Sequence, residues 1–346
     1  MTLLVKDEEV KKLLTFEETI EAVEDAYRQY GLGRVGGNSL RWGCPIIPRD
    51  EMRIEGKNLP HLSPQIRGIS QGMAYLEETH MAFVRWGVHL GDKRGNVSCL
   101  IDVTNGNVLA AIKGNFMFGM RVGAAGAVGA KYLSREDSRV AGVIGTGKQG
   151  RLQLEFLTKV RKIEKVYAHP GRKEDSALAK EYAQEMRTKL GIEILVCDDV
   201  KDVVGNADIL VTVTKSTQPL VNGKWVKKGL HINAIGADCP MKAELDALTL
   251  KKADKLVIDY ELALDTKEIR IPLEERTLTL EDIHGTIGEV VAGIKAGRED
   301  PSEITIFKST GMHLAYVAIS ARIYEKAKKL GLGTDIGTTI EDLIYC

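Results

Sequence analysis

The hydrophobic pattern of the first 130 residues predicts a helix followed by antiparallel strands. Between Phe16 and Tyr30, apolar side chains return every three or four residues, which is the spacing of an amphipathic helix. The later runs MAFVRW and NVSCLIDV alternate apolar with polar residues, and Asn105-Gly106 is typical of a hairpin turn. A further helix is predicted over 119–133, where internal glycines would let another element approach closely.

From about residue 138 the pattern changes to apolar runs that lack polar alternation. Helical patterns at 149–160 and 174–190 separate the first of these runs. Such runs are typical of strands buried on both faces of a parallel sheet. The runs are VAGVIG, KVYA, IEILVC, DILVTV, LHINAIG and KLVIDY, with ITIF near 304–307 as the last and a long helix over 311–330. We therefore expect an α/β fold with a Rossmann-type doubly wound parallel sheet domain and a second, α+β domain.

Composition and charge narrow the class of protein. Forty-eight basic residues balance 48 acidic ones in the 346-residue chain, so a nucleic-acid or membrane-surface partner is not expected. Neither an apolar run of eighteen residues nor a signal-peptide pattern is found, and we expect a cytoplasmic protein. The five cysteines are scattered and never spaced C-x-x-C, which predicts reduced thiols and no metal site.

The run RVAGVIG leads directly into GTGKQG, and an amphipathic helix follows. A glycine motif between a strand and a helix, at the start of a β-α series, predicts a dinucleotide-binding loop. The first glycine allows the tight turn, the second lets the backbone approach the pyrophosphate, and the third lets helix and strand pack closely. The alternative is a glycine-rich surface turn without a ligand. The predicted cofactor-binding residues of the loop are Gly145, Thr146, Gly147, Lys148, Gln149 and Gly150.

The end of the next strand indicates which cofactor is preferred. An NAD site usually places an acid there to bond the ribose 2′-hydroxyl, whereas this chain has His169, Arg172 and Lys173. An imidazole and two cations would suit the 2′-phosphate of NADP, so the sequence favours NADP(H), with NAD(H) as the alternative. The less favoured alternative is that Arg172 and Lys173 are the solvated start of a helix.

Together with the glycine loop, several other segments make the chain resemble the ornithine cyclodeaminase/mu-crystallin family. The resemblance rests on RVGAAGAVGAKYL before the glycine loop, on the stretch from Thr212 to Leu245, and on FKSTGM, and it covers roughly residues 5–330 with an apparent insertion in 46–68. It implies a homodimer. It also implies a substrate-binding and dimerisation domain at 1–130, joined by a C-terminal helix at 311–346, and a Rossmann dinucleotide-binding domain at 131–310.

The family's activities leave three hypotheses. The first is an NAD(P)(H)-dependent amino-acid dehydrogenase or imine (ketimine) reductase, which transfers hydride at the α-carbon of an amino acid or its imine. The second is an ornithine or lysine cyclodeaminase, which releases ammonia and regenerates its own NAD. The third, and least favoured, is a non-enzymatic protein that binds a small ligand.

Three arginines are candidates for substrate binding. Arg41 in SLRWGCP and Arg121 in FMFGMRVGAAGA match the family's carboxylate clamp, although each alone would be read as a surface cation. Arg85 stands where the family commonly has a lysine that binds substrate or moves a proton. Because guanidinium keeps its proton, Arg85 can bind an anion but is a poor acid or base. The alternative is that Arg85 pairs with Glu77 or Glu78.

The remaining candidates complete the predicted site. Asp238 in GADCP matches the base of the cyclodeaminases, so Asp238 and Arg85 are the candidate catalytic residues; Asp238 could instead cap the turn before a helix at 244–253. Gln71 is the nearest match to a glutamate that holds the terminal amino group of ornithine. Three arginines and no acid suit an anionic substrate, which predicts an amino dicarboxylate or its imine. Weaker cofactor candidates are Thr212, Thr214 and Lys308.

Overall fold

The computed structural model describes residues 2–36, 53–54, 57–58, 66–90, 93–113 and 115–337. The strands in this part of the chain are β1 (Leu3–Val5), β2 (Val35–Gly36), β3 (Arg53–Ile54), β4 (Lys57–Asn58), β5 (Ile66–Leu76), β6 (Met81–Leu90), β7 (Lys93–Asp102), β8 (Val108–Ile112), β9 (Val140–Ile144), β10 (Lys165–His169), β11 (Glu193–Val196), β12 (Ile209–Thr212), β13 (His231–Ala234), β14 (Lys255–Ile258), β15 (Ile283–Thr286), β16 (Thr305–Lys308) and β17 (Thr334–Asp335). The α-helices are α1 (Asp7–Leu13), α2 (Phe16–Gly31), α3 (Asn115–Leu133), α4 (Lys148–Leu157), α5 (Ser176–Leu190), α6 (Val200–Asn206), α7 (Ala247–Lys251), α8 (Lys267–Glu274), α9 (Ile287–Val291) and α10 (Leu314–Leu330).

Two compact units make up the chain. The first contains Met1–Thr15, Gly33–Phe118 and His313–Cys346, and the second contains Phe16–Leu32 and Gly119–Met312. The second unit therefore includes α2 and most of α3, which the sequence analysis assigned to the domain at 1–130. Each unit is built around its own sheet.

The sheet of the first unit has seven strands in the order β17-β1-β8-β7-β6-β5-β2. All its pairs are antiparallel except β1 with β8. The predicted strands MAFVRW and NVSCLIDV lie in β6 and β7, and the predicted turn follows β7, with Gly106 at φ +78°. Helix α10 packs on this sheet, because its apolar face repeats at helical spacing and is buried.

The sheet of the second unit has eight parallel strands in the order β11-β10-β9-β12-β13-β16-β14-β15. Its predicted apolar runs are all strands, and those of β12, β13, β14 and β16 are buried throughout. From β9 the chain turns to β10 on one side, and it later returns to β12 on the other side. Such a reversal leaves a crevice at the carboxyl ends of the strands, where doubly wound folds bind ligands.

Helix α3 brings neighbouring side chains close to its backbone through three glycines. A Cβ at Gly123 would overlap the Phe156 ring, one at Gly126 would overlap the Gln153 amide, and one at Gly129 would overlap the Phe307 ring. Phe156 and Gln153 belong to α4, and Phe307 to β16. The close approach predicted for the 119–133 helix is confirmed.

In the described residues, no helix is long and apolar enough to cross a membrane. Within the same residues, no three His, Cys, Asp or Glu side chains are grouped as a metal site would require. Cys99, Cys197 and Cys239 are free thiols.

Candidate active site

The glycine loop lies between β9 and α4, and its three glycines have different surroundings. Gly145 has φ +110°, and a Cβ there would lie 2.6 Å from the carbonyl oxygen of Val213. A Cβ at Gly150 would overlap the carbonyl oxygen of Gly145. At Gly147, by contrast, a Cβ would meet no atom of the described residues within 4 Å. The fold thus requires the first and third glycines, whereas the second faces open space.

The open face of the loop is also the N-terminus of α4. The helix begins at Lys148 with Gly147 as its N-cap, and glycine has no side chain to accept the first helical N–H groups. Arg151 supports the loop, because its Nη1 donates to the carbonyl oxygen of Thr146 at 2.6 Å. Free N–H groups and the positive end of a helix dipole bind phosphate oxygens, so the residues present fit a dinucleotide pyrophosphate.

The turn after β10 lies beside this loop. His169 is buried, and its Nδ1 accepts a hydrogen bond from the N–H of Gly171 at 3.0 Å. Gly171 has φ +94°, and a Cβ there would lie 2.8 Å from Cγ2 of Thr214. The side chain of Arg172 is 70% exposed and forms an ion pair with Asp175 at 2.9 Å. One exposed cation of this turn therefore already shares its charge with an acid.

Buried Glu244 ties the carboxyl ends of β12 and β13 together. Its carboxylate accepts hydrogen bonds from Oγ1 of Thr212 at 2.8 Å, from the N–H of Thr214 at 2.5 Å and from the N–H of Gly236 at 2.9 Å. Burial raises the pKa of Glu244, and the nearby charge of Glu268 raises it further. Thr212 thus faces this carboxylate, and Thr214 connects it to the glycine loop.

Lys308 and Glu268 form a second, fully buried pair in the same network. The Lys308 Nζ lies 2.7 Å from Oε1 of Glu268 and also donates to the carbonyl oxygen of Ala237. Glu268 in turn accepts from the backbone N–H groups of Glu244 and Leu245. Lys308, at the end of β16, therefore joins the loop after β13 to helix α8, while its predicted contact with the cofactor stays a prediction.

Arg121 is held against the loop that follows β16. Its side chain is buried, and a Cβ at Gly311, where φ is +90°, would overlap its guanidinium. Asp259 holds the loop in place, because its carboxylate accepts from Oγ of Ser309 at 2.9 Å and from the N–H of Thr310 at 2.7 Å. Burial raises the pKa of Asp259, and these hydrogen bonds oppose the rise. Arg121 thus lies beside the segment FKSTGM.

Asp238 lies in the loop after β13 and is about one-third exposed. Its Oδ1 is 2.7 Å from the Nζ of Lys242, which also donates to the carbonyl oxygen of Gly236 at 3.3 Å. The N-cap of α7 is Asp246, whose side chain accepts from the N–H of Thr249. The structure therefore gives Asp238 a lysine neighbour, and its role as a base or in the turn stays a prediction.

Arg85 lies in the first unit, on β6. Its Nη1 donates to the hydroxyl of Tyr316 at 3.2 Å, and its guanidinium carbon lies 5.2 Å from the ring centroid of Phe118 and 5.5 Å from that of Tyr316. Among the described residues, no carboxylate pairs with Arg85, so the alternative of a Glu77 or Glu78 partner is not found there. Arg41 and the side chains of Gln71 and Lys173 lie outside the described residues.

Comparison with known proteins identifies the family. The family model named ornithine cyclodeaminase/mu-crystallin matches residues 88–331, more than half of the chain. The chain belongs to the ornithine cyclodeaminase/mu-crystallin family. An alanine dehydrogenase of Archaeoglobus fulgidus is 35% identical to it over 97% of the chain and 98% of its own length.

Two solved members of the family have the same fold. The Δ1-pyrroline-2-carboxylate reductase of Thermococcus litoralis, in complex with NADH and L-proline, has a TM-score of 0.85 and 33% identity, and it covers 97% of this chain and 100% of its own. An archaeal alanine dehydrogenase dimer with bound NAD has a TM-score of 0.84 and 35% identity, covering 97% and 98%. The predicted α/β fold with a dinucleotide-binding sheet is confirmed.

Several polar residues of this family member were missed by the sequence analysis. They are Ser98, Lys242, Glu244, Asp259 and Glu268. Asp259 carried a usable signal, because it follows the strand KLVI directly and carboxyl ends of parallel strands are where ligands gather. Glu244 and Glu268 carried none, since their burial depends on contacts made far away along the chain.

Proposed function

We propose that the chain is an NAD(P)(H)-dependent oxidoreductase that acts on an amino acid or its imine. The observation that carries the proposal is the open face at Gly147. This residue lies at the N-terminus of helix α4, directly after strand β9 of the parallel sheet. The full-length similarity to an alanine dehydrogenase and to a pyrroline-2-carboxylate reductase supports it. In the reductive direction the imine carbon would gain a hydride and the nitrogen a proton, and a nicotinamide held at the glycine loop would supply the hydride.

The chain's own residues would bind the substrate and manage the proton. Arg41 and Arg121 would hold the α-carboxylate, because a guanidinium matches a planar carboxylate in charge and shape. Asp238, or a water that it orients, would exchange the proton at nitrogen, with the Nζ of Lys242 lying 2.7 Å from its Oδ1. Gln71 would contact the substrate side chain.

The cofactor would lie along the loop from Gly145 to Gly150, with Thr214 beside it. For its adenosine end we propose tighter binding of NADPH than of NADH, with His169, Arg172 and Lys173 facing the 2′-phosphate. The exposed guanidinium of Arg172 supports this proposal. Thr212 and Lys308 would act mainly through the loops that they hold.

We also propose that the active form is a cytoplasmic homodimer. The archaeal alanine dehydrogenase, 35% identical, is a dimer in its solved structure. Gel filtration with light scattering checks this, with a mass of about twice 38.0 kDa expected.

A cyclodeaminase is the second candidate. The observation that favours it is Asp238, which is in the segment GADCPMKAEL and is placed in a loop at the carboxyl edge of the sheet. Such an enzyme would release ammonia from ornithine or lysine without net change of NAD(H).

One assay separates these functions. Purified protein is incubated with amino acids and NAD(P)⁺, or with 2-oxo acids, ammonium or methylamine and NAD(P)H, while absorbance at 340 nm and ammonia are followed. We expect a net change at 340 nm that depends on the amino or imino acid. Ammonia release from ornithine with constant absorbance would establish the cyclodeaminase instead. A protein that is silent in both readouts would be a binding protein.

A further inference from the structure

The Nε atom of Arg85 and the Oγ atom of Ser98 are buried polar atoms on two neighbouring strands. The two residues are directly opposite in the β6–β7 register, so their side chains project from the same face of the sheet. Ser98 is 1% exposed. Its Oγ and the Nε of Arg85 are both buried and have no hydrogen-bond partner among the described residues. Leaving a buried donor unsatisfied costs about 1–3 kcal/mol, so such a pair indicates a ligand.

The guanidinium of Arg85 is fixed in a defined orientation. The rings of Phe118 and Tyr316 lie against it, and Phe83 stacks on Tyr316 with centroids 5.2 Å apart. Because Nη1 donates to the Tyr316 hydroxyl, the edge formed by Nε and Nη2 is the one that a ligand can use. That edge carries two parallel N–H donors, which match the two oxygens of a carboxylate.

Charge identifies the kind of ligand. The described residues place no carboxylate on Arg85. Glu77 and Glu78 follow β5, and Arg85 pairs with Gly72, four residues before the end of that strand, which puts the turn roughly 13 Å away along the sheet. A fixed cation beside a buried hydroxyl that can donate suits an anion and repels an ammonium group.

We infer that Arg85 and Ser98 form a subsite for a carboxylate on the substrate's side chain, with Tyr316 as the residue that positions Arg85. The inference rests on the proposed function, in which the substrate is an amino acid or its imine. Arg85 is a partly buried cation with its own carboxylate-binding edge, and leaving its buried Nε without an acceptor is costly. The substrate class is therefore an amino dicarboxylate or its imine, such as aspartate, glutamate or the imines of their 2-oxo acids.

The first experiment compares substrates on the wild-type holoenzyme. Alanine, aspartate, glutamate, ornithine and lysine are assayed with NAD(P)⁺, and pyruvate, oxaloacetate and 2-oxoglutarate with ammonium and NAD(P)H. We expect kcat/KM for one dicarboxylate to exceed that for alanine or pyruvate at least about tenfold. Equal or better turnover of the monocarboxylates would overturn the inference and leave the proposed function intact.

The second experiment changes the subsite. Truncating one partner of a buried charged pair costs about 2–5 kcal/mol, so Arg85→Met should lower kcat/KM for the dicarboxylate by roughly 30-fold to several thousandfold and that for pyruvate little. Ser98→Ala should lower only the dicarboxylate value, by about tenfold. Arg85→Lys keeps the charge but loses the two-donor edge, and it should fall between Arg85→Met and the wild type.

Two further variants separate binding from support of the fold. Tyr316→Phe keeps the ring and removes the hydroxyl, so we expect a raised KM for the dicarboxylate with kcat nearly unchanged. Ser320→Ala is the matched control, because Ser320 is a fully buried serine of the same unit whose Oγ contacts Sδ of Met117. It should leave the substrate preference as in the wild type. A loss that is equal for both substrate classes in Arg85→Met would assign Arg85 to the α-carboxylate and refute the subsite.

If the protein transfers no hydride to any of these substrates, the proposed function is refuted. A binding measurement can then still test the subsite. Isothermal titration calorimetry measures the affinity for succinate and for propionate, neither of which can react. Tighter binding of succinate that Ser98→Ala weakens at least about fivefold would support it. Equal binding of both acids, or no binding of either, would overturn it.

Discussion

Arg172 shows how one neighbouring charge changes the role expected of a residue from the sequence. From the sequence it is a cation at the strand end where NADP enzymes bind the 2′-phosphate. In the structure its guanidinium lies 2.9 Å from Asp175, three residues later. An exposed pair of this kind is worth only about 0–1 kcal/mol, so a phosphate with a charge near −2 can displace the carboxylate.

This competition predicts the effect of two substitutions on cofactor affinity. Arg172→Ala should weaken NADPH binding about tenfold and leave NADH binding unchanged, because only NADPH carries the 2′-phosphate. Asp175→Asn should tighten NADPH binding several-fold, since the guanidinium loses its nearer acidic partner and keeps only Glu174 at 3.9 Å. Fluorescence titration of both cofactors measures this. Equal or stronger binding of NADH by the wild type, together with an inert Arg172→Ala, would contradict the preference.

At the residue scale, the sequence predicts charges better than partners. Lys242 lies four residues after Asp238, so their ion pair was within reach of the sequence. Ser98 lies opposite Arg85 only because of the β6–β7 register, which twelve residues of intervening chain leave undetermined. The chemistry of each group was therefore predictable, whereas the long-range contacts were not.

At the scale of one strand, loop and helix, the effects of the loop glycines on stability and on cofactor binding can be separated. Gly150→Ala should destabilise the protein by roughly 1–3 kcal/mol, because its Cβ would overlap the Gly145 carbonyl oxygen. Gly147→Ala should leave stability unchanged, since its φ of −76° suits alanine and its Cβ would face open space. The methyl group should nevertheless weaken dinucleotide binding at least about tenfold, because the pyrophosphate approaches there.

The control for this prediction is Gly205→Ala in α6, where a Cβ also meets no described atom within 4 Å. Thermal unfolding and cofactor titration are measured on all three variants. We expect Gly205→Ala to bind the cofactor as the wild type does and to unfold at the same or a slightly higher temperature, because alanine favours a helix more than glycine does. Full cofactor affinity in Gly147→Ala would mean that the pyrophosphate binds elsewhere.

Elements with a strong hydrophobic period were predictable, and weakly patterned ones were not. The seven apolar runs from VAGVIG to ITIF are all strands of the parallel sheet. The edge strand β15 has the sequence IHGT, whose single apolar residue gives no strand signal. Helix α2 was predicted from its period, but a period does not identify the neighbour. The helix belongs to the second unit, where its Gly31 lies against the backbone of Gly288.

At the scale of the whole molecule, one histidine links stability to pH. His231 is fully buried in β13, with its ring nitrogens 2.9 Å from Oγ1 of Thr305 and 3.0 Å from Oδ1 of Asn233. Burial lowers the pKa of His231 from 6.5 to about 3. The unfolded chain therefore binds a proton that the folded chain excludes at pH values between these two, and stability falls as the pH is lowered through this window.

Because of His231, the free energy of unfolding should therefore fall by about 2 kcal/mol when the pH is lowered from 7 to 5. Urea unfolding of the wild type and of His231→Gln at both pH values measures this. The variant should be less stable at pH 7 but lose about 2 kcal/mol less on acidification. The control His284→Gln, at a partly exposed histidine, should keep the wild-type pH dependence. The same acid sensitivity in His231→Gln would show that other groups are responsible.

The division of the chain into interleaved segments has a consequence for its biosynthesis. The first unit needs residues 313–337, because α10 covers its sheet and β17 completes the edge beside β1. On the ribosome, its strands from β5 to β8 emerge about two hundred residues before that cover. The parallel sheet receives its last strand, β16, earlier, at residue 308. Nascent chains should therefore close the second unit first, while the apolar face of the first awaits the end of translation and depends on chaperones until then.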